Sequence, residues 1–582
     1  MKKRKLLILL IIVLTTISFF SCKKKIVNPS GQQTESLASW TILFYLGGTN
    51  NIETWLNYNI NQLENIGSNP KFHMAVQISR NSENGKATRY YIQKDEDFSK
   101  ITSKPTDVGI VDSADYKVLK DFIIWGVKTY PSNQYALIIS SHGGGWLGIV
   151  EDQIKNSFMS TIDLQKALRE ARFETGRKFD VLIFNSCLMG MTEVAYQLKD
   201  EANFIVASEI SQYAFINLDR AIEPLSSYPG ITGADFSKMI VKSFIDGWKN
   251  PPQGFTQKPQ IYTAYNILEI SKLKNSLDEI AKNAIRSFLY YGEYIVEDIK
   301  KVPLIEKEGI YSTYIDLKYL LEVLKNDIRI ADYDIKKGVN DSLTILNNLI
   351  LAKEVSPGYV NSDTSLMNLN EASGMSIWAP IIRFQSGTLN HYSKLDFTLD
   401  TSWLSFLYIL NPEMPRFITK YEVDNWLIYN EQNLGISFKA PDDNLFKPVR
   451  INEDIYILGG EFTGFTENRR YFGGEAYICF NITKNITEVD SVAWGNKELA
   501  RIIPQYVDYK EIFKNESELS GERCYIFILK GIDRAGQNVT EAHTYLIYDK
   551  TGYDITYIAD TALFPEFLDI YLKIIYSFKI TH

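Results

Sequence analysis

A chain of 582 residues is long enough for more than one domain, and its 45% hydrophobic and 13% aromatic content can fill large cores. This composition excludes a disordered chain. The net charge of -8, from 62 basic and 70 acidic residues, is mild for this length and argues against a nucleic-acid-binding surface, which needs a concentrated basic face.

The N-terminal segment predicts export and attachment to a membrane. Basic residues at positions 2–5 precede an apolar stretch, Leu6 to Phe20, that is too short to span a bilayer comfortably. A cysteine follows in a pattern similar to a bacterial lipobox, so residues 1–22 are predicted to be a lipoprotein signal peptide with Cys22 as the lipidated N-terminus. An uncleaved N-terminal anchor is the alternative. Residues 23–39 are polar and predict a flexible tether, and both interpretations place the body outside the cytoplasm, on the periplasmic face of a bacterial membrane or on the cell surface.

From Trp40 onward, strand-like and helix-like stretches alternate. The predicted elements are, in order, a strand over 40–46, a helix that Asn50 or Asn51 caps and Gly67 ends, a strand over 72–78, a helix over 116–128 and a strand over 135–140. This alternation predicts a mostly parallel sheet that is covered by helices on both faces.

The strand over 135–140 leads to the first candidate catalytic residue. His142 follows it and precedes three glycines, a setting that none of the other four histidines has. Because a glycine has no Cβ, its backbone N–H can come close to a bound carbonyl and contribute to an oxyanion hole. A loop histidine with no role is the alternative. The next residues, from Glu151, are polar and predict an exposed loop, followed by a helix that Ser160 or Thr161 caps.

The second candidate is Cys187, in the sequence FDVLIFNSCLMGM over 179–191. Five apolar residues predict a buried strand that ends at Asn185, so the thiol lies at the carboxyl end of a strand, where ligands of open α/β sheets bind. A buried packing cysteine is the alternative. A thiol, an imidazole and a glycine N–H at adjacent strand ends form the minimum set for acyl transfer through a thioester.

Downstream, residues 233–352 are predicted to be mainly helical, followed by a strand over 375–378 and a helix near 403–410. Prolines at 412 and 415 mark a domain boundary. Residues 412–582 then alternate with a period of two, which predicts an antiparallel β domain, a sandwich, in an accessory role. Its two cysteines, Cys479 and Cys524, are consistent with a disulfide or with two buried thiols.

Taken together, these motifs resemble the clostripain family of cysteine endopeptidases, which is related to caspases, legumain and gingipains. The resemblance covers roughly residues 40 to 410, and its further matches are the stretches 40–53, 207–209, 374–380 and 401–407. It implies a caspase-like α/β/α sandwich with a mostly parallel sheet, with helical additions here and the C-terminal β domain beyond it.

The resemblance also implies roles for particular residues. Cys187 would be the nucleophile, His142 its acid and base, and the backbone N–H groups of Gly143 and Cys187 the oxyanion hole. Lys155 is the basic residue best placed for self-processing, and an ordinary surface lysine is the alternative. No cofactor is required; calcium supports some members of the family, but no loop here has spaced carboxylates to which it can be assigned. The expected partner is a protein or peptide substrate, and we expect a monomer.

Two departures from the family pattern concern specificity. The family has an aspartate two residues before the cysteine, which receives a basic substrate side chain, and this chain has neutral Asn185 there. Thr49 likewise replaces an aspartate. A carboxylate at Glu209 or Asp219 could restore a basic preference. The predicted function is an extracytoplasmic cysteine endopeptidase, and the alternatives are an inactive or weakly active lipid-tethered protein that binds peptide or glycan and an amidase that acts on a non-protein substrate.

Overall fold

The structure is a computed structural model that describes residues 37–307, 309–356, 366–380, 391–410, 427–431, 435–440, 449–450, 455–458, 477–519, 522–534, 536, 538–560, 571, 574–575 and 577–581. The predicted signal peptide, Cys22, most of the tether and the boundary prolines lie outside the described residues. Among the residues described, no helix is both long and apolar enough to cross a bilayer.

A nine-stranded sheet forms the centre of the first 380 residues, in the order β12-β10-β9-β8-β5-β1-β2-β3-β4. Its inner strands β9, β8, β5, β1 and β2 are parallel, and the pairs at both edges are antiparallel. The strands here are β1 (Ala38–Gly48), β2 (Phe72–Arg80), β3 (Lys86–Tyr91), β4 (Pro105–Ile110), β5 (Ser132–Ser140), β6 (Gly148–Asp152), β7 (Ser157–Ser160), β8 (Phe179–Asn185), β9 (Ala202–Ala207), β10 (Ile261–Asn266), β11 (Tyr314–Asp316), β12 (Ile350–Val355) and β13 (Ser376–Trp378).

The inner strands are apolar on both faces because both faces are covered. In β5 and β8, Leu137 and Leu182 belong to one buried cluster, while Ile138 and Ile183 belong to the cluster on the opposite face. Helices pack on each side, so the predicted α/β class with a mostly parallel sheet is confirmed. The helices here are α1 (Glu53–Ile66), α2 (Tyr116–Thr129), α3 (Thr161–Thr175), α4 (Thr192–Gln197), α5 (Leu218–Ile222), α6 (Pro224–Ser227), α7 (Gly233–Lys249), α8 (Ile270–Arg286), α9 (Phe288–Lys301), α10 (Leu317–Asn326), α11 (Tyr333–Leu349), α12 (Asp396–Leu399) and α13 (Trp403–Leu410).

The residues that precede the helices can be compared with the predicted N-caps. Ser160 caps α3, since its hydroxyl accepts from the Asp163 backbone N–H at 3.0 Å. The cap predicted for α1 is wrong: the residue before the helix is Ile52, and Asn50 and Asn51 make contacts elsewhere. The loop predicted after Glu151 is also wrong in part, because its residues form the hairpin of β6 and β7.

The C-terminal part contains a seven-stranded antiparallel sheet and a three-stranded sheet. The face of the large sheet that carries Phe480 packs against Phe438 of the small one, with ring centroids 4.5 Å apart. Helix α14 (Ser491–Ile502) covers another part of the large sheet through Trp494. The period-two pattern did not predict this helix. The elements of the C-terminal part are β14 (Leu427–Glu431), β15 (Ile436–Ala440), β16 (Val449–Arg450), β17 (Ile455–Leu458), β18 (Tyr477–Thr483), α14 (Ser491–Ile502), β19 (Tyr506–Leu519), β20 (Glu522–Asp533), β21 (Asn538–Tyr548), β22 (Thr551–Asp560) and β23 (Lys579–Ile580).

The two cysteines of this part are buried. Cys479 lies on β18 and Cys524 on β20, and β22 and β21 separate these strands in the sheet, so the two residues are too far apart to form a disulfide with each other.

Candidate active site

His142 and Cys187 lie at the same edge of the sheet because their strands are neighbours. In the parallel pair β5 and β8, Ser140 is in register with Asn185, so the two loops that follow start side by side. Both residues line one cleft of about 790 Å³. The hairpin of β6 and β7 forms one wall of this cleft, and Tyr311 and His391 contribute from later in the chain.

The His142 imidazole is held by a neutral side chain. Its Nε2 lies 2.7 Å from Asn51 Oδ1, and the Glu151 carboxylate is 3.8 Å away. Because the amide oxygen can only accept, Nε2 donates, and Nδ1 is left as the basic nitrogen of the neutral ring. The side chain is 36% exposed, so the imidazole is accessible from the cleft.

Asn50 holds the backbone around this histidine. Its buried amide donates to Gly47 O at 3.0 Å and Glu151 O at 2.9 Å, and contacts Ser141 Oγ at 3.2 Å. One side chain thus joins the end of β1, the loop of His142 and the start of the hairpin. Buried amides with several satisfied hydrogen bonds fix loop geometry in this way.

Cys187 lies in a constrained turn. The next residue, Leu188, has φ of 65°, a left-handed conformation that is costly for a branched side chain, and its N–H donates to Ile210 O at 3.1 Å. The Cys187 thiol is itself partly buried. Burial and the nearby Glu306 carboxylate raise the pKa of Cys187, while the Gln212 backbone N–H, 3.3 Å from Sγ, opposes the shift. The thiol is therefore protonated at rest.

Gly143 is required by the close approach of the two loops. A Cβ at this position would lie 2.4 Å from the Cys187 carbonyl oxygen and 3.1 Å from the Cys187 nitrogen. The backbones of Gly143 and Cys187 are therefore in close contact, as the predicted pair of oxyanion donors requires.

Asn185 contacts the side chains of Ser140 and Gln212 and is not among the described residues that line the cleft. Its amide nitrogen donates to Ser140 Oγ at 3.1 Å, and its amide oxygen lies 3.0 Å from the side-chain amide of Gln212. Gln212 thus touches Cys187 with its backbone and Asn185 with its side chain. Both groups at this position are neutral amides.

The loop that carries Gln212 is fixed at several backbone positions. Glu306 accepts from the Ser211 N–H at 2.7 Å, and the buried Gln260 side chain accepts from the Tyr213 N–H at 3.0 Å. These bonds hold the loop against the thiol.

The two other predicted substrate-binding residues lie away from the cleft. Glu209 is 1% exposed and accepts from the Gly374 N–H at 2.9 Å. Burial and the nearby Asp316 carboxylate raise the pKa of Glu209 well above its usual range. Asp219 is on α5 and accepts from Asn65 at 3.2 Å. Neither carboxylate lines the cleft, so neither is placed to attract a basic substrate side chain there.

Lys155 lies at the tip of the hairpin. It is exposed, and its N–H donates to the buried Asp152 at 2.9 Å. The tip is therefore accessible, and it belongs to the same hairpin that forms the wall of the cleft.

Several residues of the site were not predicted from the sequence as site residues. They are Asn51, Glu151, Gln212, Glu306 and Tyr311, and each reaches the site through a fold-dependent contact. For Asn51, the neighbouring asparagines of the 50–53 stretch were a usable signal, but the sequence pattern favoured a helix cap. The described residues hold no group of three or more His, Cys, Asp or Glu side chains placed to bind a metal ion, so no residue is assigned to calcium.

Comparisons with known proteins show the family to which the chain belongs. A family model described as the clostripain family matches residues 44–426. Clostripain of Hathewaya histolytica is 25% identical over 187 residues, which are 27% of this chain and 36% of clostripain, so the match spans about a third of that relative.

Solved structures are also similar. One is a secreted C11 cysteine protease from Bacteroides thetaiotaomicron in complex with an irreversible peptide inhibitor, with a TM-score of 0.50 at 16% identity over 63% of this chain and 99% of that chain. Another is an inactive zymogen C11 protease from Parabacteroides distasonis, with a TM-score of 0.46 at 18% identity over the same shares of the two chains. At 16% identity, the likeness to the Bacteroides thetaiotaomicron protease shows the fold alone.

Proposed function

The chain belongs to the clostripain family of cysteine peptidases, and we propose that it is an endopeptidase that uses Cys187 and His142. The observation that supports this most strongly is that the thiol and the imidazole line one cleft at the carboxyl ends of neighbouring parallel strands. This edge of an α/β sheet is where catalytic groups gather.

The proposed reaction begins with a protonated thiol. When a peptide occupies the cleft, the thiol proton passes to Nδ1 of His142, and Sγ attacks the peptide carbonyl carbon. The imidazolium then gives its proton to the departing nitrogen as the C–N bond breaks, which leaves a thioester on Cys187. Water attacks the thioester, releases the carboxylic acid and restores the thiol. Asn51 keeps the proton of the neutral imidazole on Nε2, so that Nδ1 can accept the thiol proton in the first step.

The tetrahedral intermediates carry an oxyanion that needs hydrogen-bond donors. The backbone N–H groups of Gly143 and Cys187 are the proposed donors, supported by the contact between their backbones. Donors of this kind contribute roughly 10²–10³-fold in rate each. A side chain at residue 143 would push the two loops apart and disrupt this pair.

We propose a preference for neutral residues at the cleavage point. Asn185 and Gln212 form an amide pair next to Cys187, and an amide pair offers no negative charge to a guanidinium or an ammonium. The Glu151 carboxylate of the cleft lies 3.8 Å from His142 Nε2 instead. The predicted carboxylates Glu209 and Asp219 lie elsewhere.

Self-processing and location are further parts of the proposal. Cleavage at the exposed Lys155 would release the tip of the hairpin that forms the cleft wall, although a neutral pocket makes a lysine a poor site for the enzyme itself. We also propose that the protein is extracytoplasmic and tethered through a lipid on Cys22.

A weakly active or inactive protein that binds peptide or glycan is the second candidate. One observation favours it: the Cys187 thiol donates to the Gln212 carbonyl oxygen at 3.7 Å. This contact is made by the protonated thiol and is lost in the thiolate, so it opposes formation of the nucleophile.

Cleavage of a peptide library, followed by mass spectrometry, decides between the two. The wild type and the Cys479→Ala control, which removes a different buried thiol, are expected to give the same set of cuts, and Cys187→Ala none. Cleavage by Cys187→Ala would refute the assignment of the nucleophile, and no cleavage by the wild type would favour the binding protein.

A further inference from the structure

Beside the reactive residues lies a row of five aromatic side chains, called here the aromatic row: Tyr213, Trp248, Phe255, Trp55 and Tyr58. Ring centroids along it are 5.4 Å apart for Tyr213 and Trp248, 6.4 Å for Trp248 and Phe255, 5.4 Å for Phe255 and Trp55, and 6.4 Å for Phe255 and Tyr58. These spacings are those of rings in contact, so the row is continuous.

Both ends of the row lie close along the chain to residues that contact the catalytic pair. Tyr213 directly follows Gln212, whose N–H is 3.3 Å from Cys187 Sγ. Trp55 lies in the first turn of α1, four residues after Asn51, which touches His142. A chain bound with its carbonyl at Cys187 would therefore reach the row within a few residues.

The row is partly open to solvent. Tyr213 is 46% exposed and Trp55 38% exposed, while Trp248 is 3% exposed and supports them from below. Exposed clusters of large apolar side chains mark binding surfaces in soluble proteins, whereas single exposed residues do not. Tyrosine and tryptophan are also the side chains enriched at such surfaces.

Two of the segments that carry the row, α1 and the loop of Tyr213, are joined by hydrogen bonds. On α1, the Asn59 amide donates to Phe215 O at 2.6 Å and the Gln62 amide to Ile216 O at 2.7 Å. The Gln260 side chain accepts from the Tyr213 N–H. These bonds fix the backbones that carry Trp55 and Tyr213 before a ligand binds, which lowers the entropic cost of binding.

We propose that the aromatic row is a substrate subsite that takes an aromatic or large aliphatic side chain of the peptide being cleaved. The Lys258 ammonium lies 5.3 Å from the Tyr213 ring centre, and its charge disfavours a lysine or arginine side chain at that end. The occupant is a peptide because Tyr213 directly follows Ser211, which lines the cleft, and Gln212, which contacts the thiol, and in this respect the inference rests on the proposed function.

Calorimetric titration of the Cys187→Ala protein tests the subsite without turnover. The probes are a heptapeptide of alanine, serine and glutamine and seven variants, each with one phenylalanine at a different position. We expect one or two of these to bind about tenfold tighter than the parent. This preference should be lost when Trp55→Ala or Tyr213→Ala is added. It should persist when Phe173→Ala is added, since Phe173 is 72% exposed on α3 and distant in the fold from the row.

Three results would overturn the proposal. They are equal binding of all eight peptides, a phenylalanine preference that survives both ring substitutions, and a dimer in light scattering that Trp55→Ala dissociates, which would assign the row to a second copy. Cleavage of the same peptides by the wild type separates the two claims. A binding preference without cleavage would refute only the proposed function, and cleavage without a binding preference would refute only the subsite.

Discussion

Two histidines in this protein have opposite settings. His142 lies in the cleft of the peptidase part, is 36% exposed and has the neutral amide of Asn51 as its nearest partner. His543 lies in the C-terminal sheet, is 2% exposed, and has Glu541 at 3.0 Å on Nε2 and Asp554 at 3.3 Å on Nδ1. Its ring stacks on Phe527, with centroids 4.8 Å apart.

The different partners suit His142 to proton transfer and His543 to holding a positive charge. Burial opposes the charge of His543, but hydrogen bonds to Asp554 and Glu541 outweigh it and raise the pKa of His543 to about 9. Both ring nitrogens are occupied, so the ring has no position for a substrate. Among the described residues, the hydrogen bond of the His142 ring is made through Nε2, which leaves Nδ1 as the nitrogen that can act as the general base.

The largest expected effect comes from removing each histidine in turn. His142→Ala should lower kcat/KM by roughly 10²–10⁴-fold, the usual contribution of a general acid and base, and leave the melting temperature unchanged because the residue lies on the cleft surface. His543→Ala should do the reverse, lowering the melting temperature while preserving kcat per folded molecule. Activity assays and thermal unfolding of both variants check this, and a large loss of stability in His142→Ala would remove the distinction.

The second prediction concerns the pH dependence of stability. Since the folded state holds the His543 proton until about pH 9 and the unfolded chain releases it near pH 6.5, the stabilisation is complete below pH 6.5 and is lost as the pH rises through 9. Its size is about 3 kcal/mol, from the difference between the two pKa values. Denaturant unfolding of the wild type and of His543→Gln between pH 6 and 10 should show this loss as a difference between the two profiles, because Lys530, whose pKa burial lowers to about 7, titrates in the same window in both proteins. A constant difference between the two profiles across this window would contradict the assignment.

A third test adds a charge to the neutral site. Asn185→Asp should raise the ratio of kcat/KM for arginine over leucine peptides by about ten- to a hundredfold, because a charge-assisted hydrogen bond is worth about 1.5–3 kcal/mol. Gln212→Ala, which removes the neighbouring amide without adding charge, is the matched control and should leave the ratio low. A wild-type preference for arginine beyond about a hundredfold would refute the neutral pocket.

The smallest expected effect comes from giving His142 a carboxylate partner, as His543 has. Asn51→Asp places a carboxylate on Nε2 and stabilises the imidazolium, so the rising limb of the pH profile of kcat/KM should move up by about one pH unit. Asn51→Ala, which removes the orienting acceptor, should lower kcat without moving the limb in that direction. An identical profile for Asn51→Asp and the wild type would show that this side chain does not contact the working imidazole.

The sequence was sufficient to predict the sheet and the position of His142 and Cys187 at its edge, for a physical reason. Strands such as β5 and β8 are buried on both faces and are therefore apolar throughout, and a polar residue directly after them marks the sheet edge. The hairpin of β6 and β7 was not predicted because its residues are polar, and buried contacts such as Asp152 with Ser113 hold it in place.

The parts of the site that were missed depend on contacts between distant segments. Glu306 reaches the loop of Ser211 from 95 residues away, and Asn51 reaches His142 across 91. Leu188 has a positive φ that its residue type disfavours, so only the folded turn reveals it. Local sequence patterns do not specify such contacts, although the neighbouring asparagines at 50 and 51 were a usable signal for Asn51.

The most direct test of the mechanism is to trap the acyl group on the enzyme. The protein is mixed with a peptide ester, quenched in acid and mapped by mass spectrometry. A thioester mechanism predicts the acyl mass on the peptide that contains Cys187 in the wild type, a slower appearance in His142→Ala and none in Cys187→Ala. Acyl mass on another residue, or hydrolysis with no acyl-enzyme while Cys187→Ala remains active, would contradict it.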